Sequence, residues 1–224
     1  MSIGLFGCSY SQMWSNFPGD NFGETGAGNK LIFSKVIEKV ENKAVSEVLI
    51  GVSFYTRRCL YSISDSAFCS SARSKIVEKH YHYCWGMTNS ENNILTLIYE
   101  MFLDIFLLTG YLKQKNIKYL IFNNCNNFNG QLEDKKVLDE NLKYFKQLDD
   151  LVQLVNADPG VVDLFNFCAN EHLFANGAVP SKVDVCNQYP PNQIHYEKGQ
   201  NEILLPYFRQ HSKKHNLELE LERR

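Results

Sequence analysis

The chain opens on a short apolar run, Ile3 to Phe6, and comparable runs return at Val45 to Val52 and at Ile117 to Phe122. Each is bounded by turn-forming or polar residues and is strand-sized, so each reads as a buried β-strand. Between them the pattern changes to a helical period. Leu31, Ile32, Val36 and Val40 fall on the face opposite Lys35 and Lys39, which predicts a helix to about Glu41 with Asn29 as its N-cap. A second, longer repeat runs through Ile94, Leu95, Leu97, Ile98, Met101, Phe102, Ile105, Phe106 and Leu108, with Ser90 as N-cap and Asn116 closing the segment. The order strand, helix, strand, helix, strand favours an α/β fold: a three-layer α/β/α sandwich with a central parallel sheet.

The remaining segments read less regularly. Gly7 to Gly28 is a Gly-, Asn- and Ser-rich loop with the turn Pro18-Gly19-Asp20, placed directly after the first strand, where α/β proteins put their chemistry. Residues 53–90 lack periodicity and read as an excursion over the active face. Residues 131–157 carry a helical apolar repeat through Leu138, Leu142, Phe145, Leu148, Leu151 and Leu154, ended by Asp158-Pro159-Gly160. Val161 to Phe167 fits a short strand or a helical turn, and 177–191 a loop. Tyr196 to His211 reads as a final helix kinked at Pro206. A single domain over 1–212 is expected, followed by a charged tail, 213–224, of which Glu218 to Arg224 reads as a solvated or frayed end.

Composition narrows the function classes. With 224 residues, 44% of them hydrophobic, the chain can bury one sizeable core without a second domain. Its 23 basic residues are matched by 25 acidic ones, so there is no broad attraction to nucleic acid or to an anionic membrane. No window offers 18 uninterrupted apolar residues and no signal peptide opens the chain, so a soluble, cytoplasmic protein is expected. The seven cysteines, at 8, 59, 69, 84, 125, 168 and 186, are odd in number and form no Cys-x-x-Cys pair, which argues against a disulfide framework or a zinc cluster. His80 and His82 alternate without other ligands at suitable spacing, and no metal or organic cofactor is expected.

Candidate chemistry gathers at the ends of the strands. Gly7-Cys8-Ser9 lets the chain turn sharply after the first strand and present the Ser9 hydroxyl as a nucleophile, while the Ser9 N–H faces a developing oxyanion. Thr25-Gly26-Ala27-Gly28-Asn29 is a glycine-rich turn opening a helix, whose bare N–H groups suit an anion. Gly51-Val52-Ser53-Phe54 ends the second strand and is followed by Arg57 and Arg58, either of which suits a carboxylate or phosphate; solvated surface charges are the plain alternative. Asn192-Gln193-Ile194-His195-Tyr196 precedes the last helix and offers a histidine base, with Asn192 or Asp184 to orient it.

Taken in order, these four blocks resemble those of the SGNH/GDSL hydrolase superfamily, and the arrangement Gly-Cys-Ser, aromatic loop, Gly-Ala-Gly-Asn is similar to that of phage-encoded relatives. The resemblance implies an SGNH/flavodoxin-like sandwich in which Ser9 is the nucleophile, His195 the general base, and Ser9, Gly28 and Ser53 the oxyanion donors. Ser53 and Phe54 stand where the superfamily carries Asn and Asp, and Asn192 where it carries Asp. In a rival register Asn187-Gln188-Tyr189-Pro190 aligns with the last block and leaves the site without a histidine. Substrate contacts are expected from Asn29, Arg57, Arg58 and the aromatic loop of Trp14, Phe17 and Phe22, which would stack on a sugar. The implied activity is hydrolysis of a small, acetyl-type ester on a carbohydrate or related polar substrate. The alternatives are acyl transfer through the same serine, or a binding protein that keeps the fold with a degraded site.

Overall fold

The computed structural model describes residues 2–14, 16–25, 27–55, 59–62, 67–70, 91–126, 146–182, 184, 191, 194–217 and 219–221. Ser90, His80, His82, 131–145 and 187–190, each named above, lie outside the described residues.

The three apolar runs are parallel neighbours. Strands β1 (Ser2–Phe6), β3 (Val45–Val52) and β6 (Lys118–Asn123) align so that Phe6 pairs with Ile50 and Ile50 with Ile121. A two-residue strand, β2 (Asp20–Asn21), pairs parallel to the free side of β1, giving the order β2-β1-β3-β6. The polar sequence of β2 carried no strand signal, and it occupies the sheet edge, where such residues are tolerated. Beyond β6, Val161 makes a parallel bridge with Ile121, so the short-strand reading of Val161 to Phe167 holds for a single residue. An antiparallel hairpin of β4 (Cys59–Ser62) and β5 (Ala67–Ser70) forms separately within the 53–90 excursion.

Strand alternation divides the core in two. Phe6, Val48, Ile50, Val52, Tyr119 and Ile121 face one cluster, packed by helices α2 (Asn29–Glu41), α3 (Glu91–Gln114) and α4 (Lys146–Asn156). Ile3, Leu5, Leu49, Leu120 and Phe122 face the other, packed by α5 (Ala169–Ala175), a π-helical turn (Gln200–Leu204) and α6 (Leu205–Lys214). A sheet with helices on both faces is a three-layer α/β/α sandwich with a central parallel sheet. Among the described residues, no helix is long and apolar enough to cross a membrane.

Several local expectations change. Asn29 is the first residue of α2, capped by Gly28, because its carboxamide is drawn to Ser53 instead of its own helix. In α4 the buried positions are Leu148, Leu151, Val152 and Val155, leaving Leu154 exposed. Tyr196 belongs to a strand, β8 (Tyr196–Lys198), paired antiparallel with β7 (Val179–Pro180). Gly199 then turns the chain at φ 110° into the π turn, and Pro206 falls in the first turn of α6, directly after it.

Helices α2, α3 and α6 end alike, on Lys43, Asn116 and Asn216 in the left-handed region. Each closes with the paired bonds of a Schellman motif, as in Ile117 N–H to Leu112 O and Asn116 N–H to Lys113 O. After α6 this reversal returns the tail to the protein. Leu221 is fully buried, its carbonyl accepts from Arg209, and the Glu220 N–H donates to Glu47. Residues 219–221 therefore pack on the protein where a frayed end was expected.

Candidate functional site

Counted in chain order with Val161 as a fifth position, the sheet runs 2-1-3-4-5, and the direction in which successive strands are added reverses between β1 and β3, which remain parallel. In open parallel sheets the crevice beyond the strand ends at such a switch is where ligands bind. Ser9 follows β1 there, Ser53 follows β3, and Asn124 and Asn126 follow β6.

Ser9 opens a four-residue helix, α1 (Ser9–Gln12), immediately after the turn at Gly7. The turn is tight enough that a Cβ on Gly7 would lie 2.0 Å from the Ser11 hydroxyl, and one on Gly51 would lie 2.9 Å from it. Only glycine at both places lets the first turn of α1 settle onto the ends of β1 and β3. As the first helical residue Ser9 has no intrahelical acceptor for its N–H, which leaves that group for another partner.

The Ser9 hydroxyl lies 2.8 Å from Nε2 of His195, and Nδ1 of His195 lies 2.7 Å from Oδ2 of Asp184. The same carboxylate oxygen accepts the His195 backbone N–H at 2.6 Å. An ionised carboxylate only accepts, so Nδ1 carries the ring proton and Nε2 is the acceptor for the Ser9 hydroxyl. Ser9 is 9% exposed and the Asp184 side chain 10%, against 30% for the His195 side chain. The charged end is thus shielded while the histidine remains within reach of solvent. The ring of Tyr10 stacks on the imidazole with centroids 4.4 Å apart.

A set of buried asparagines ties the three strand ends together. Asn29 bridges from α2 to Ser53, donating to its carbonyl at 3.3 Å and accepting its N–H at 2.7 Å. Asn126 donates to the same carbonyl at 3.0 Å. Asn124 donates to the Ser11 hydroxyl at 3.2 Å, and its own carbonyl accepts the Asn170 N–H at 3.1 Å. Asn170 then donates to the carbonyl of Ile194, the residue before His195, at 3.1 Å. A continuous polar path beneath the site therefore joins the Ser9 helix to the His195 loop. Such fully satisfied buried networks hold a single arrangement.

Of the residues singled out from sequence, Ser9, Asp184 and His195 come together. Gly28 sits at the start of α2, beside the Asn29 bridge to Ser53. Ser53 has no accessible surface and its N–H is taken by Asn29, so it is not presented to a substrate in this structure. Asn29 likewise spends its carboxamide on the backbone of Ser53, which makes it a clamp in place of the expected substrate contact. Trp14 is corrected outright: it is 3% exposed and packs against Phe17, Phe122 and Phe208, so it is core. Phe22, half-buried, stacks on Phe6 at the margin of the core cluster on the other face of the sheet. Gly26, Arg57, Arg58 and Asn192 lie outside the described residues.

Tyr10, Asn124, Asn126 and Asn170 were not singled out. The Asn-rich run after β6 was visible, but nothing in its pattern marks those side chains as buried. Cys8, Cys125 and Cys168 are buried thiols outside any disulfide, and burial pushes that of Cys168 up to about 12. Among the described residues no group of three or more His, Cys, Asp or Glu side chains is arranged to hold a metal ion. No family model, curated protein or solved structure matches this chain.

Proposed function

We propose that the protein is a serine ester hydrolase of SGNH-like design, acting through Ser9, His195 and Asp184. The observation that carries this reading is the continuous hydrogen-bonded line from the Ser9 hydroxyl through both ring nitrogens of His195 to Asp184, at 2.8 and 2.7 Å. In this mechanism His195 takes the Ser9 proton as Oγ attacks the ester carbonyl, and Asp184 stabilises the imidazolium that forms. The Ser9 N–H and the Gly28 N–H are the proposed donors to the tetrahedral oxyanion. Collapse of the tetrahedral adduct expels the alcohol, which takes the proton from His195. Water, deprotonated by the same histidine, then attacks the acyl-enzyme and releases the acid and free Ser9. The proposed substrate is a small acetyl-type ester on a carbohydrate or similarly polar alcohol, as the resemblance of the sequence blocks implies.

The test is hydrolysis of a short-chain nitrophenyl ester together with labelling by a fluorophosphonate probe. Wild-type protein should hydrolyse the ester and label at Ser9, and Ser9→Ala should lower kcat by at least about 1000-fold and abolish labelling. Unchanged hydrolysis in Ser9→Ala would remove Ser9 as the nucleophile. Folded wild-type protein that neither labels nor turns over would favour a binding protein on the same fold.

A further inference from the structure

The contacts around His195 fix more than its two ring nitrogens. Asp184 and Ser9 hold the ring at its two nitrogens, and two such contacts by themselves do not fix its rotation about the line joining them. The backbone is pinned on both sides of the side chain, by Asp184 at the N–H and by the Ser181 N–H, which donates to the His195 carbonyl at 2.7 Å. What covers a face of the imidazole is Tyr10, at 4.4 Å between centroids and 16° between planes. Tyr10 is 6% exposed and does not swing freely, because Phe54, just past the end of β3, meets its ring edge-on at 6.2 Å. Ser9 and Tyr10 are adjacent on α1, so one short helix presents a hydrogen-bonding group to the edge of the imidazole and an aromatic wall to its face.

We infer that Tyr10 is a positioning residue for the base: its ring, buttressed by Phe54, holds the His195 imidazole in the plane that keeps Nε2 directed at the Ser9 hydroxyl. This rests on the proposed serine chemistry for its kinetic consequence but not for its structural one. The wall acts in the step in which Nε2 takes the Ser9 proton, because that transfer needs the ring held in line with the hydroxyl. Its removal should appear in kcat and leave KM nearly unchanged, since Tyr10 is buried and its contact is with the imidazole.

The charged group facing His195 among the described residues is Asp184, from the segment before β8; Ser9 and Tyr10 approach from α1. The experiment compares Tyr10→Phe, which keeps the wall, with Tyr10→Leu, which removes the aromatic face at similar bulk. Proton NMR of the His195 ring is read first, assigned by its loss in His195→Gln. Wild-type and Tyr10→Phe should show the upfield ring-current displacement of a stacked imidazole, and Tyr10→Leu should lose it. Kinetics on the nitrophenyl ester and the fluorophosphonate labelling rate are read second. An aromatic pair of this kind corresponds to a roughly 3- to 10-fold fall in kcat and labelling rate for Tyr10→Leu, with Tyr10→Phe within about twofold of wild type.

Two results overturn the inference. Absence of the upfield displacement in wild-type protein refutes the stack, whether or not the protein is an esterase. Loss of the displacement in Tyr10→Leu with unchanged kcat and labelling rate refutes the positioning role. If no ester is turned over and Ser9 does not label, the hydrolase reading fails, the positioning role fails with it, and the NMR comparison separately decides whether the wall exists.

Discussion

At the residue scale, the candidate site depends on which side chain stands behind His195. Two were open in the sequence, the carboxamide of Asn192 three residues before it and the carboxylate of Asp184 eleven before it, and local spacing favours the nearer one. The structure has Asp184 occupying Nδ1 and the His195 N–H with one oxygen. A carboxylate there stabilises developing positive charge, whereas a carboxamide would only orient the ring. Asp184→Asn should therefore lower kcat for a short-chain ester by about 100- to 10,000-fold with little change in unfolding midpoint, while Asn192→Ala stays within about threefold of wild type. Steady-state kinetics on the two purified variants decides between the two residues, and the reverse pattern would assign the orienting role to Asn192. Ser9, Asp184 and His195 could be named from sequence because their chemistry is distinctive and they sit at element boundaries. Asn124 and Asn170 could not, because a buried asparagine that donates to a backbone carbonyl looks, in one dimension, like any loop asparagine. Tyr10 was hidden for a related reason: its ring meets a residue 185 positions away, and nothing local encodes that pairing.

At the element scale, the strongly periodic segments were legible and the short ones were not. β1, β3, β6, α2 and the long α3 follow from burial on one or both faces, which forces apolar residues into a regular repeat. α1 has four residues and β2 two, too few to show a period, and both are held by the packing of the loop on the sheet end. The final helix starts later than Tyr196, because Tyr196 is buried by a strand pairing and the π turn precedes α6. The elements of this second layer also set a pH response. Burial lowers the pKa of His172 on α5 and of His211 on α6 below the ordinary histidine value of 6.5, and for His211 the nearby His215 and Lys214 add to the effect. A histidine whose folded pKa lies below its unfolded one binds fewer protons when folded, so stability rises with pH through this range. Its contribution is fully present above about pH 6.5 and is lost as pH falls through the lowered folded values. Urea unfolding at pH 7 and pH 5 should show the loss in wild-type protein, and His172→Phe combined with His211→Gln should make it smaller. An equal loss in the double variant would place the acid sensitivity elsewhere. Glu171, beside His172, has a carboxyl raised by burial, and this acts in the opposite sense, favouring the folded form as the carboxyl takes its proton.

At the scale of the whole molecule, one end of the sheet carries the chemistry and the other carries the tail. The C-terminal ends of β1, β3 and β6 converge on Ser9, Ser53 and the asparagine network, whereas Glu220 is bonded to Glu47, near the N-terminal end of β3. Leu221 fills the second core cluster together with Leu205, Phe208 and Leu120, and Leu217 and Leu219 pack at its margin. The alternating Leu-Glu sequence of this segment suggested a solvated end because charge dominates it. The decisive signals were Asn216, which suits the left-handed turn that ends α6, and the leucine after it, which that turn directs back onto the protein. A fully buried leucine contributes through both its transfer from water and the cavity its removal leaves. Leu221→Ala should therefore destabilise the protein by about 2–4 kcal/mol, read as a lower urea midpoint with a similar slope. Because the tail meets β3 at the end remote from Ser9, the same variant under native conditions should keep the wild-type rate of fluorophosphonate labelling. A midpoint within error of wild type would mean that the tail does not contribute to the core, and a matched loss of labelling in folded protein would mean that its docking reaches through the sheet to the site.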